Sequence, residues 1–334
     1  MRRTAIAAGA VAAAVAIERF VIAAPRYRGP RSDHFDGERF HNIDPGWQKE
    51  SSFLKWQMNR RPGAWRRWID DAPGPKPLDR VGDGRLRVTL VNHSTLLLQF
   101  DNVNMLTDPV WSMRCSPFAF AGPKRHRAPG IRFEDLPPID AVLVSHNHYD
   151  HCDLPTLRRI DRPPIFTPLG NRALIGERAT ELDWWQSMKL TNDIDITLVP
   201  AQHFCARGLS DRNTNLWGGF VISAPSGNIY FAGDTGWGEH FAEIAKRFAL
   251  IRLAMLPIGA YLPRWFMKPA HIDPAEAVEA HKVLGAKISI PIHYGTFRLS
   301  DEGETQPLDD LRSAIAANNV TSFHIIEHGE GFEA

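Results

Sequence analysis

Val142-Leu-Val-Ser-His-Asn-His-Tyr-Asp-His-Cys-Asp153 places His146, His148, Asp150 and His151 close together, directly after the apolar run Ala141–Val144. An apolar run that stops at a polar cluster reads as a buried strand delivering a loop to the edge of a sheet. Side chains alternate along extended chain, so His146 and His148 can point the same way. Asp150 and His151 then follow on a turn and can face a second point nearby. Imidazole and carboxylate at this density suit zinc or a similar divalent ion, and the spacing suits two ions better than one.

Outward from that stretch the same pattern recurs. Strands are expected at Leu86–Val91, Thr95–Phe100 and Asn102–Thr107, then at Ile139–Val144, Ile165–Thr167 and Ile194–Pro200. Trp217–Ser223 and Asn228–Ala232 form a hairpin around Ser226-Gly227, and further strands follow at Ile251–Leu256, Ile288–Ile292 and Phe323–Ile326. Helices are expected at Leu154–Ile160, Gly170–Arg178, Gly238–Phe248, Pro274–Leu284 and Pro307–Asn318. Asp273 followed by Pro274 reads as an N-cap and first helical position. Strand after strand ends in a candidate ligand: His146, His203, Asp234 and His293. Ligands at equivalent strand ends converge on one sheet edge, where α/β sites lie. Strands first, then strand–helix alternation, twice over, predict an α/β fold of two packed mixed sheets with helices outside, a four-layer αβ/βα sandwich.

Seven residues complete the set. His146, His148 and His203 are expected on one metal, Asp150, His151 and His293 on the other, and Asp234 bridging both. Gly233 suits the bridge, because it lets the backbone approach closely. Two divalent ions about 3.5–4 Å apart can share a hydroxide of near-neutral pKa, which would attack an ester, amide or phosphodiester. Asp150 is the candidate to orient that hydroxide. Asp108 is expected to hydrogen-bond a ligating imidazole, and Cys152 and Cys205 to be buried apolar side chains.

Composition narrows the classes. The 334 residues are 43% hydrophobic and 23% charged, enough for a large core. A net charge of +1 gives no bulk electrostatic case for nucleic acid. Three cysteines do not make a disulfide framework. No Gly-rich dinucleotide motif of the expected form is present, which argues against flavin-coupled redox use of the site. Residues 1–24 open Met1-Arg-Arg-Thr and run through the apolar Ala5–Ile17. A basic start with a short apolar stretch is signal-like, and it falls short of the ~18–20 residues of a spanning helix. An exported or membrane-associated protein of a bacterial cell envelope is expected, with a cytoplasmic one as the alternative. Residues 25–83 are rich in Pro, Arg and Trp and read as an extension wrapping the core, with short helices at Phe53–Arg61 and Pro62–Ile69. The metallo-hydrolase domain is expected over residues 84–334.

Ser145-His-Asn-His-Tyr-Asp-His151 with His203, Asp234 and His293 resembles the metallo-β-lactamase superfamily. Leu106-Thr-Asp-Pro109, Gly122-Pro-Lys-Arg125, Leu136–Leu143, Leu256–Met267 and His271–Val278 are similar to the branch of phospholipases D that hydrolyse N-acylphosphatidylethanolamine. The resemblance covers roughly residues 30–330. It implies two zinc ions per chain and release of phosphatidic acid and an N-acylethanolamine. It also places His271 near the substrate phosphate, for substrate binding or proton delivery. The partners it anticipates are a phospholipid substrate, a membrane surface and a second copy in a homodimer, with no nucleic acid. Trp111, Trp184, Trp185, Trp217, Trp237, Tyr261, Trp265 and Phe266 are candidates for apolar access, and Lys124, Arg125 and Arg127 for contact with anionic lipid heads. The alternatives are a lactonase or other ester or phosphodiester hydrolase on the same site, or a non-catalytic membrane-tethered protein.

Overall fold

The computed structural model describes residues 18–44, 53–160 and 162–334. Most of the signal-like segment, including Ala5–Ile17, therefore lies outside the described residues. One sheet contains β1 (Leu86–Asn92), β2 (Thr95–Phe100), β3 (Val103–Thr107), β4 (Ala141–Leu143), β5 (Ile165–Pro168), β6 (Ala179–Leu182) and β13 (Gly331–Glu333), in the order β13-β1-β2-β3-β4-β5-β6. The other contains β7 (Ser187–Lys189), β8 (Asp195–Val199), β9 (Gly219–Ser223), β10 (Asn228–Phe231), β11 (Ile251–Pro257) and β12 (Ile288–Ile292), in the order β12-β11-β10-β9-β8-β7. Both are mixed. β3, β4, β5 and β6 run parallel to one another, as do β10, β11 and β12, and the remaining neighbours are antiparallel.

Period-two alternation builds the layers. In β4, Ala141 and Leu143 join the core between the sheets, together with Leu96, Leu98, Phe220, Ile222, Ile229 and Leu253. Val142 and the following Val144 turn to the other face and pack on Leu157 and Ile160. Leu157 belongs to α2 (Leu154–Arg159), which covers that face. Each fully buried aliphatic side chain of this kind contributes roughly 1.5–3 kcal/mol. On the far side of the second sheet, α6 (Pro274–Leu284) buries Pro274, Ala277, Val278, His281 and Leu284, a helical stripe. Asp273 caps α6: its carboxylate accepts from Glu276 N, and Glu276 returns a bond to the Asp273 N–H.

The remaining α-helices among the described residues are α1 (Phe53–Met58), α3 (Arg172–Ile175), α4 (His240–Arg247), α5 (Arg264–Met267) and α7 (Gln306–Asn318). Pro62–Ile69 is irregular, not helical. It lies along the core instead, with Gly63 N bonded to Asp301 O and Ile69 N to His126 O. The stretch expected as a last strand, Phe323–Ile326, makes one bridge, Ser289 to Phe323, and is anchored by burial of Phe323 and Ile326. The last strand, β13, pairs instead with β1, at an edge of the other, seven-stranded sheet. The edge strands β6 and β7 are short, and β7 is exposed at every position, so neither carries an apolar pattern.

Candidate metal centre

All the candidate ligands gather at one end of the two sheets. β4 runs into His146, β8 into His203, β10 into Asp234 and β12 into His293. Gly233 (φ +60°) makes the turn before Asp234, and a Cβ there would come within 2.7 Å of Ser145 Cβ. Gly259 clears the other flank, where a Cβ would stand 1.9 Å from the His293 carbonyl oxygen. His293 itself adopts a left-handed φ of 63°.

The structure brings the seven sequence-predicted side chains together in two groups that share Asp234. In the first, His148 Nδ1 lies 2.9 Å from His146 Nε2 and 3.4 Å from His203 Nε2. Asp234 Oδ2 is 4.0 Å from His146 Nε2 and 3.7 Å from His203 Nε2. In the second, Asp150 Oδ2 is 3.4 Å from His151 Nε2 and 3.5 Å from His293 Nε2. Asp234 Oδ2 stands 3.2 and 3.1 Å from the same two nitrogens. Ligands about 2.0–2.1 Å from a tetrahedral ion are separated by ~3.3 Å, which these spacings bracket.

Hydrogen bonds fix which nitrogen the rings of His146, His151 and His203 offer. His151 donates from Nδ1 to Asp108 Oδ2 at 2.6 Å, leaving Nε2 for the centre. Ser145 Oγ donates to Asp108 at 2.6 Å and accepts from His146 Nδ1 at 2.9 Å. His203 Nδ1 donates to Ala270 O at 2.9 Å. Such partners orient metal-facing imidazoles. The backbone of His203 is clamped by the extension: Asn42 Oδ1 accepts from its N–H at 3.0 Å, and Asn42 Nδ2 donates to its carbonyl at 2.9 Å.

Burial disfavours charge on every imidazole here. It prevails at His146 and His203, held well below the usual histidine range, at His148, lowered to about 4, and at His93 and His271, lowered to about 3. At His151 and His293 the carboxylates outweigh it. Asp234, Asp150 and Asp108 hold His151 well above the usual range, and Asp234 and Asp150 raise His293 to about 9. Burial opposes ionisation of Asp150 and Asp234 as well, but the adjoining imidazoles push both well below the carboxylate range. Buried His151 Nε2, His293 Nε2, Asp234 Oδ1 and His271 Nδ1 have no hydrogen bond of good geometry within the protein. Unpaired atoms of this kind, facing each other across ion-sized gaps, fit a divalent cation.

His271 lies beside the first group, its Nδ1 3.9 Å from Asp234 Oδ2 and its ring centre 5.1 Å from that of His203. Its loop is tied down by Arg264, which donates to the His271 carbonyl at 2.8 Å and to Glu276 at 2.6 Å. One residue was missed. His93, in the two-residue turn between β1 and β2, donates from Nε2 to Asp150 Oδ2 at 3.0 Å. Its own carbonyl accepts from His293 N at 2.8 Å. A histidine where a strand ends at the ligand edge was the available signal.

Several expectations need correction. Arg125 is buried and donates to the Ser112 and Val110 carbonyls, and Arg127 pairs with Asp71 and His328, so neither is free for a lipid head. Trp217 and Tyr261 are core side chains, Trp111, Trp184, Trp185 and Phe266 are half-buried, and of that set only Trp237 and Trp265 are exposed. Cys152 and Cys205 are, as expected, buried among apolar neighbours.

The family profile described as "Beta-lactamase superfamily domain" matches residues 103–294. A Caenorhabditis elegans protein named N-acyl-phosphatidylethanolamine-hydrolyzing phospholipase D 1 is 41% identical over 277 residues, 77% of this chain and 78% of the relative. An uncharacterized Mycobacterium tuberculosis protein is 37% identical over 311 residues, 87% of this chain and 82% of its own. Among solved structures, an isothiocyanate hydrolase from Delia radicum gut bacteria superposes with a TM-score of 0.60 at 22% identity, covering 74% of this chain and 100% of its own. The chain therefore belongs to the metallo-β-lactamase superfamily, in the branch of the N-acylphosphatidylethanolamine-hydrolysing phospholipases D, and is a metal-dependent hydrolase.

Proposed function

We propose that the chain is a di-zinc phosphodiesterase that converts N-acylphosphatidylethanolamine and water to phosphatidic acid and an N-acylethanolamine. The observation that carries this reading is the pair of ligand groups sharing Asp234, with the unpartnered His271 Nδ1 beside it. The name of the worm relative supports the substrate class.

Two zinc ions, when bound, would supply Lewis acidity, lowering the pKa of water and offsetting negative charge on the phosphoryl oxygens. His146, His148 and His203 would hold one, Asp150, His151 and His293 the other, with Asp234 common to both. Asp150, braced by His93, orients the incoming water through its carboxylate. His271 is placed to hydrogen-bond a phosphate oxygen through Nδ1. The bond formed is water oxygen to phosphorus. The bond broken joins phosphorus to the N-acylethanolamine oxygen, which leaves with a proton from water.

The test combines metal analysis of the purified protein with mass spectrometry of lipid products. Two zinc ions per chain and metal-dependent release of N-acylethanolamine are expected. A two-zinc protein that turns over lactones or other phosphodiesters but not this lipid would overturn the substrate assignment. Export or envelope association of the chain is proposed from residues 1–24, and N-terminal sequencing of the mature protein with cell fractionation tests it. Among the described residues no helix is long and apolar enough to cross a membrane.

A further inference from the structure

Exposed apolar side chains occur at several places on this molecule, Phe53, Leu54, Met58 and Trp265 among them, and two sets of them stand on segments fixed to the metal loop. Phe118 and Phe120 project from a finger, residues 113–124, whose base is pinned by Cys115 N to Pro123 O and Arg125 N to Met113 O. Cys115 packs with Val110 and Phe297 against Tyr149, the residue between His148 and Asp150. Phe120 is 81% exposed although its finger is fixed at the metal loop. A second projection carries Leu209, 94% exposed. It is fixed by Asp211, which accepts from Arg207 N and Gly208 N. Arg207 in turn donates to the Asn147 and Cys152 carbonyls, on either side of the ligand cluster.

Between the finger and the metal loop lies a cavity of about 410 Å³, lined in part by Ile22, Met113, Phe118, Tyr149 and Arg158. The chain enters the described structure here, because the Glu18 carboxylate accepts from Leu209 N at 2.7 Å and Ser210 N at 2.9 Å. The apolar run Ala5–Ile17 ends one residue before Glu18, so it joins the molecule beside Leu209. Charge points the same way. Arg114, Lys124 and Arg158 have no acidic partner among the described residues, whereas the carboxylates at this face, Glu18 and Asp211, are taken up by the backbone N–H groups of residues 207–210. Protruding aromatic and aliphatic tips, a cationic surround and an adjoining apolar segment together match the interface of an anionic bilayer.

We propose that this edge is a bilayer-docking face, in which Phe118, Phe120 and Leu209 enter an anionic membrane beside the Ala5–Ile17 segment. The proposal rests on the lipid reading of the site, but it is tested without that substrate. The three native cysteines are buried, so Phe120→Cys, Leu209→Cys and Leu250→Cys each offer one accessible thiol for an environment-sensitive dye. Leu250 is the control, 76% exposed and directly before β11, at the opposite end of the sheets.

The labelled full-length chains are mixed with vesicles of phosphatidylcholine and phosphatidylglycerol at 7:3. Blue-shifted emission at positions 120 and 209, and none at 250, is expected. Phe118→Ser/Phe120→Ser is expected to lower the vesicle partition coefficient at least tenfold and leave turnover of bis(p-nitrophenyl) phosphate unchanged. Chains that sediment with vesicles while the labels at 120 and 209 stay in water would overturn the proposal. So would shifts that appear without vesicles and grow with protein concentration, which would mark a second copy on this face. Correct docking without release of N-acylethanolamine would overturn the substrate assignment alone.

Discussion

Asp108 and His151 share a 2.6 Å hydrogen bond with both side chains fully out of solvent. The same carboxylate takes the Ser145 N–H at 2.7 Å and the Ser145 hydroxyl at 2.6 Å. One buried anion thus orients imidazoles in both ligand groups, His151 directly and His146 through Ser145. Asp108→Asn keeps the shape but offers one acceptor oxygen in place of two. Metal affinity in a chelator competition should fall about 10–100-fold. Unchanged affinity would remove Asp108 from the support of the centre.

His93 braces only the Asp150 side. His93→Ala should therefore lower metal content after dialysis from two ions towards one, read by elemental analysis. His93→Gln, which can still donate to Asp150, should recover part of it. Equal loss of both ions would show that His93 serves the fold at large and not one half of the centre.

Arg264 touches no metal-facing atom, yet it holds the His271 carbonyl against the α6 cap. Arg264→Ala should cost on the order of tenfold in kcat with metal content intact, because misplacing a substrate-facing group weakens orientation. His271→Ala should cost at least as much. If Arg264→Ala lowers metal content together with kcat, the effect is general loosening.

His34 supplies a pH dependence away from the centre. Its ring is bonded to Asp183 at 2.8 Å and Asp33 at 2.6 Å, and it stacks on Trp184. Burial opposes the charged ring, but the two carboxylates outweigh it and raise the pKa above 6.5. A raised histidine pKa stabilises the folded state below the unfolded pKa, and that contribution is lost as pH rises through the folded value. The gap in thermal midpoint between wild type and His34→Asn should be widest at pH 6 and narrow by pH 9. Asp33 is almost fully exposed, so most of the effect should come from Asp183. A gap that does not change with pH would mean that stacking, not charge, explains His34.

The ligand edge was legible because its logic is local: an apolar strand ends, and a histidine or aspartate follows. β4 before His146 and β12 before His293 both obey it. Edge strands β6, β7 and β13 were not legible, because three or four residues with one or no buried face leave no alternation to read. His93 obeyed the strand-end rule but lay far from the cluster in sequence. Arg125 misled for another reason. A basic run looks solvated on paper, whereas its guanidinium folds inward onto two carbonyls. The exposed finger carrying Phe118 and Phe120 was equally silent, since exposure of an apolar residue is decided by tertiary packing.

The Asn42 clamp on His203 has a consequence for where this enzyme begins. The seven converging side chains fall between His146 and His293, so a fragment trimmed to the sheets would hold every metal-facing atom. It would lack the amide that grips both sides of the His203 peptide backbone and accepts from the Trp217 indole at 3.2 Å. The unit that supplies the chemistry and the unit that keeps it in register are thus different lengths of chain. Grafting or shuffling of this centre has to carry the longer one, back at least to Phe40, whose N–H is bonded to Asn213 O at 2.8 Å.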